Sequence, residues 1–99
     1  MDKENIILGI DLGTTNSCVA IWNNKKLEII TDKSGNKTIP SIVAFNKKGR
    51  LSGQDAKIQI EQNQKNTIYD IKRLIGRSFS DDIIQKNKNY FTYDIAGDI

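Results

Sequence analysis

The sequence predicts an α/β fold that opens on a small antiparallel β-meander and continues into a small mixed α/β subdomain. Three observations carry that reading. Apolar runs at 6–10, 18–22 and 27–31, rich in Ile and Val, are separated by short polar turns, the pattern of strands that pair with their neighbours in sequence. Pro40, the only proline, ends a polar stretch that begins at Asp32 and contains Gly35, so it forces an extended connection there. Beyond it stand helix-start and helix-stop signals that the opening lacks.

Taken in order, residues 6–10 suit a buried strand, and 18–22, with β-branched Val19 and Ile21, its return partner. Asn23 and Asn24 supply the turn into a third strand at 27–31. A division is placed near residue 39, between a first segment 1–39 and a second 40–99. Residues 41–45 read as extended, and Asn46, Lys47, Lys48 and Gly49 as a turn. Ser52 is placed to cap a helix over 54–62, with Ala56 and Ile60 one turn apart. Thr67 stands three residues before Asp70, a capping-box-like spacing, and Gly76 follows as a C-terminal glycine, which predicts a short helix between them. Asp81 and Asp82 suit the first turn of another short helix, and 90–95 reads as a final strand.

Composition narrows the chemistry. A chain of 99 residues can bury about two-thirds of its unfolded surface, enough for a modest core at 37% hydrophobic content. The net charge is only +3, and Lys25, Lys26, Lys47 and Lys48 fall in turns rather than along one stripe, so neither DNA nor RNA is expected as a partner. There is no His, and the single Cys18 has no intramolecular disulfide partner; in a strand it serves as a small apolar residue. The leader 1–5 carries both charges, and the apolar run after it is too short for a signal peptide or a membrane span. A cytoplasmic protein without membrane contact is the expectation.

The chemistry-bearing stretch is 9–17, GIDLGTTNS, at the bend between the first two strands. Gly13 lacks a Cβ that would block close approach, so N–H groups from Gly13 to Thr15 can face phosphate oxygens, and Thr14 and Thr15 add hydroxyl donors. Asp11 beside a phosphate is repulsive by itself, but becomes an asset if Mg²⁺ with its water shell lies between them. The alternative is an ordinary hairpin turn whose Thr side chains cap backbone groups. A P-loop is excluded by the missing Lys, and no GxGxxG occurs.

This stretch resembles the first phosphate hairpin of the 70 kDa heat-shock chaperones of the DnaK-like type. A second block, 66–77, NTIYDIKRLIGR, resembles a hallmark segment of the same family in the expected order, and 36–45 and 51–57 also fit. Actin and the sugar kinases share only the hairpin. The resemblance implies an N-terminal part of an actin-like ATPase domain of ribonuclease H-like architecture. In it, 1–39 would supply the opening strands of the first nucleotide-binding lobe, with the phosphate hairpin, and 40–99 an incomplete upper subdomain of that lobe. The cofactors implied are ATP or ADP with Mg²⁺. Gly13, Thr14, Thr15 and Asn16 would hold the nucleotide, and Asp11 the magnesium through water.

On a helical projection Lys72 lies about 40° from Ile68, at the edge of an apolar arc with Ile71, Leu74 and Ile75. By itself that reads as a surface lysine with a buried stem. The resemblance instead implies that Lys72 is catalytic, reaching the terminal phosphate, whereas Arg73 and Arg77 would form ion pairs that fasten subdomains. Trp22, Tyr69, Tyr90, Phe91 and Tyr93 read as packing residues rather than base-stacking ones. Lys37 and Ile39 depart from the family, which favours Arg and Thr there, while Asn16 and Ile71 look like the bacterial or organellar branch.

The partners implied are unfolded polypeptide clients, a J-domain cochaperone and a nucleotide exchange factor. The function implied is that of an ATP-hydrolysing chaperone that assists folding, with this chain inactive by itself. The alternative is a truncated or split-gene remnant that needs another polypeptide to complete the site.

Overall fold

Strands β1 (Ile7–Leu12), β2 (Asn16–Asn23) and β3 (Lys26–Ile30) run antiparallel in that order, and β4 (Ile39–Pro40) pairs with the start of β2. The computed structural model describes residues 6–97, so the charged leader at 1–5 lies outside the described residues. All three predicted strands are present, each shifted at its ends by a residue or two. β2 and β3 are joined by Asn24 and Lys25, at φ 50° and 63°, the positive values that a two-residue turn needs to match strand twist. The turn therefore centres one residue later than the Asn23–Asn24 pair suggested.

A second sheet takes the order β6 (Gly49–Ser52), β5 (Val43–Asn46), β7 (Thr67–Ile68), all antiparallel. The predicted turn at 46–49 closes its hairpin, with the Asn46 side-chain oxygen accepting from the Lys48 N–H at 2.8 Å. Helix α1 (Gln54–Lys57) lies against this sheet, burying Ala56 beside Ala44 and Thr67, all three fully inaccessible. Further along, α2 (Asp82–Asn87) is capped by Asp81, whose carboxylate accepts from the Ile83 N–H at 2.9 Å, in line with the acidic first turn expected there. Ile84, Phe91 and Tyr93 complete the buried apolar set.

The first sheet is different. Alternation puts Leu8, Ile10 and Leu12 with Val19 and Ile21 on one face, and Ile7, Trp22 and Leu27 on the other. Both faces are open: Ile10 and Leu27 are each 67% exposed, and the close contacts of β1, β2 and β3 are with one another and with β4. The radius of gyration is 16.9 Å, against about 13 Å for a compact chain of this size.

Four expectations are corrected. The helix over 54–62 stops at Lys57, and a 3₁₀ turn (Ile60–Gln62) replaces its second half, because the Gln59 side-chain amide donates to the Ala56 carbonyl that the helix ladder would use. Ser52 does not cap it. It lies in β6 opposite Val43, and Gly53 at φ 64° makes the entry, so close to Ile39 that a Cβ there would clash. No helix spans 67–76: Thr67 is drawn into β7 beside Ala44, its hydroxyl donates to the Asn63 carbonyl, and only a 3₁₀ turn (Ile71–Arg73) forms. The final strand at 90–95 is absent among the described residues; the Thr92 N–H goes to the Tyr69 hydroxyl at 3.2 Å instead of a strand partner. Gly76, at φ 77°, does end its turn in the left-handed conformation.

Candidate functional site

The bend between β1 and β2 is shaped by a residue outside the 9–17 stretch. Ser41, directly after Pro40, donates its hydroxyl to the Gly13 carbonyl at 2.9 Å and its N–H to the Thr15 carbonyl at 2.9 Å. The hydroxyls of Ser17 and Ser41 also meet at 2.7 Å. Two carbonyls of the loop are thus tied back toward the β2–β4 side, while the turn and loop hydrogen bonds among the described residues leave the N–H groups of Thr14 and Thr15 unclaimed. Gly13 is required by the same geometry, since a Cβ there would collide with the Asn16 carbonyl oxygen. Thr14, Thr15 and Asn16 are exposed.

Unclaimed N–H groups with adjacent hydroxyls are the donor set an anion-binding turn uses. Asp11 sits in β1 opposite Cys18, with an exposed side chain. Among the described residues no three His, Cys, Asp or Glu side chains gather into a metal-binding group. Cys18 is half-buried, as a strand residue with a small side chain should be.

Lys72 is carried on the Ile71–Arg73 turn, exposed and outside every ion pair formed among the described residues. The close element contacts do not join that turn to β1 or β2. The loop residues are thus brought together with one another, and Lys72 belongs to a separate turn. Arg73 and Arg77 do pair, but locally: Arg73 Nε lies 3.5 Å from Asp70, and Arg77 lies 3.4 Å from Asp81, so neither bridges the sheets. One pair that does span the two regions is Lys33, whose ammonium sits 2.7 Å from Asp55 of α1 beside a cleft of 260 Å³, where α1 also packs on β4. That hydrogen bond, with the Asp55 charge, raises the Lys33 pKa.

Four of the five aromatic residues read as packing residues come together. Tyr69 meets Tyr93 edge-on at 5.3 Å and Phe91 at 6.0 Å, and Tyr90 meets Phe91 at 5.1 Å, so all except Trp22 form one cluster. Burial pushes the Tyr93 hydroxyl above its ordinary pKa. Sequence reasoning missed both this clustering and Ser41; the one available signal for the latter was a hydroxyl residue immediately after the lone proline.

A loop that presents backbone N–H groups and Thr hydroxyls from a β-hairpin defines a class of anion-binding turn, and comparison with known proteins gives the family. The family model described as Hsp70 protein matches residues 7–98, and the chain belongs to that family. It is 52% identical over 92 residues to a heat shock protein 70 homolog of Acanthamoeba polyphaga mimivirus, which covers 93% of this chain and 10% of that protein. It is 50% identical over 88 residues to heat shock cognate 70 kDa protein 3 of Dictyostelium discoideum, covering 89% of this chain and 14% of the relative. With the chaperone protein DnaK of Buchnera aphidicola it shares 51% identity over 90 residues, 90% of this chain and 14% of the relative. The chain thus spans a small fraction of the length of these relatives. Viral, amoebal and bacterial relatives match about equally, so the identities do not single out one branch.

Proposed function

We propose that this chain is the N-terminal part of an ATP-binding, ATP-hydrolysing chaperone, and that the 13–16 loop cradles the nucleotide's phosphates. The observation that carries the reading is the Ser41 tether: with the Gly13 and Thr15 carbonyls held back, the loop offers donors rather than acceptors to an incoming anion. Thr14 and Thr15 bind and orient phosphate oxygens, Gly13 permits close approach, and Asn16 flanks the cradle. Asp11 holds magnesium through its water shell; the metal supplies charge neutralisation for the phosphates when bound.

Lys72 is the catalytic residue of this proposal. Phosphoryl transfer asks a protein for positioning and charge stabilisation rather than covalent chemistry, so an ammonium brought to the terminal phosphate lowers the barrier by offsetting charge that develops there. Residues 1–39 and 40–99 then belong to one lobe of an actin-like ATPase domain. Its partners are unfolded polypeptide clients, a J-domain cochaperone and a nucleotide exchange factor, in the cytoplasm. Among the described residues no helix is long and apolar enough to cross a membrane.

A second reading shares the site but not the activity: a truncated or split-gene remnant that another polypeptide must complete. The two open faces of the first sheet favour the need for completion under either reading. Lys72→Ala in the full-length polypeptide that carries these residues tests the first. Single-turnover hydrolysis should fall by about 10²-fold or more while nucleotide affinity is largely kept; equal rates in variant and parent refute the assignment.

A further inference from the structure

The geometry points to Asp70 as a positioning residue for Lys72, acting through its left-handed backbone rather than its charge. Among the described residues only three other than glycine have positive φ, and two of them, Asn24 and Lys25, form a hairpin turn that demands it. The third is Asp70, at φ 53° and ψ 33°, where no hairpin exists. Asp enters that region more readily than most residues, and here the hydrogen bonds on both sides fix it there.

Upstream, Thr67 and Ile68 are fixed by pairing with β5, and Tyr69 is clamped from three directions. Its carbonyl accepts from the Tyr93 hydroxyl, its own hydroxyl accepts from the Thr92 N–H at 3.2 Å, and its ring stands edge-on to Tyr93. Downstream, the Asp70 carbonyl accepts from the Arg73 N–H at 3.0 Å, closing the turn, and the Ile71 carbonyl takes the N–H groups of Leu74 and Ile75 at 2.9 Å each. The Asp70 carboxylate lies 3.5 Å from Arg73 Nε, and the Arg73 guanidinium sits over the Tyr90 ring at 5.5 Å.

The chain therefore reverses at one residue between an anchored strand and a hydrogen-bonded turn, and Lys72 stands two residues beyond the reversal. Returning Asp70 to an ordinary strand or helical conformation would swing the whole Ile71–Arg73 turn, redirecting Lys72 without touching it. The inference rests on the reading of Lys72 as the phosphate-facing cation.

The test compares Asp70→Val with Asp70→Gly in the full-length polypeptide, scoring single-turnover ATP hydrolysis and, separately, nucleotide Kd. Glycine adopts the left-handed conformation freely and valine resists it, while both remove the carboxylate. Valine should lower the rate about tenfold or more with Kd changed by less than about twofold, since displacing a catalytic group costs rate before binding. Glycine should recover most of that loss. Equal rates in the two variants overturn the proposal, as does a loss of affinity that parallels the loss of rate. If the valine variant does not fold by circular dichroism, Asp70→Ala replaces it with the same expected order. Lys72→Ala run alongside separates the failures: hydrolysis unaffected by it overturns the functional reading and the positioning role together. Hydrolysis abolished by it, with valine equal to glycine, overturns the positioning role alone.

Discussion

The sheet of β1, β2 and β3 and the sheet of β5, β6 and β7 are both antiparallel and both apolar, yet only the second closes over its own side chains. β5 leaves Ala44 fully buried because α1 returns Ala56 onto it within a dozen residues and β7 adds Thr67 from the other edge. β1 carries four large aliphatic side chains and buries none of them, because no element among the described residues comes back across either face. Burial of a strand is thus set by what the chain places within reach, and a sheet apolar on both faces is built to sit between two layers.

The largest effect expected from breaking this contrast is in the second sheet. Thr67→Val keeps shape but removes the hydroxyl that serves the Asn63 carbonyl and the Gln59 amide at 2.7 and 2.9 Å, leaving them only the Asn66 N–H and the Ala56 carbonyl. Loss of about 1–3 kcal/mol is expected on chemical unfolding. Amide exchange should accelerate at 43–68 and stay unchanged at 7–30; uniform acceleration would mean that the two sheets unfold as one.

Ile10→Lys probes the other side of the contrast. At an exposed position on an edge strand it should change stability by less than about 0.5 kcal/mol. It should nevertheless reduce self-association of the isolated 99-residue chain in sedimentation, because a charge on an apolar edge blocks pairing with another copy. An unchanged sedimentation profile would show that β1 is not the sticky edge.

The smallest effect belongs to the loop from β3 to β4, a strap that also carries Lys33 to Asp55. Asp32 accepts from the Asn36 N–H and side-chain amide and from the Ser34 N–H, and these bonds hold its carboxyl below the ordinary 3.8. A lowered folded-state pKa means the loop is supported above the unfolded value and loses that support as pH falls through the folded one. The amide resonances of Ser34 and Asn36 should therefore titrate below the ordinary carboxylate midpoint, and a midpoint at or above it would contradict the strap.

Strand existence was legible because β-branched runs and Asn or Gly turns are local signals, and the Asp81 cap was legible for the same reason. The donors of GIDLGTTNS could also be read from residue types alone, since a glycine beside two hydroxyls supplies them whatever surrounds them. Helices were less legible. The Thr67–Asp70 spacing signalled a cap, but a cap competes with a strand partner, and Ala44 lay across the fold waiting to pair. The helix after Gly53 ended where the Gln59 side chain, anchored on Thr67, took a carbonyl that the ladder needed.

What the sequence settled by itself was the family and the order of the opening strands, both of which depend on residues close together along the chain. Only the tertiary structure could assign Ser41 to the loop, gather Tyr69, Tyr90, Phe91 and Tyr93, and turn Asp70 left-handed. Ser41 reaches Gly13 across 28 positions and Tyr93 reaches Tyr69 across 24, separations that local preference along the chain does not encode.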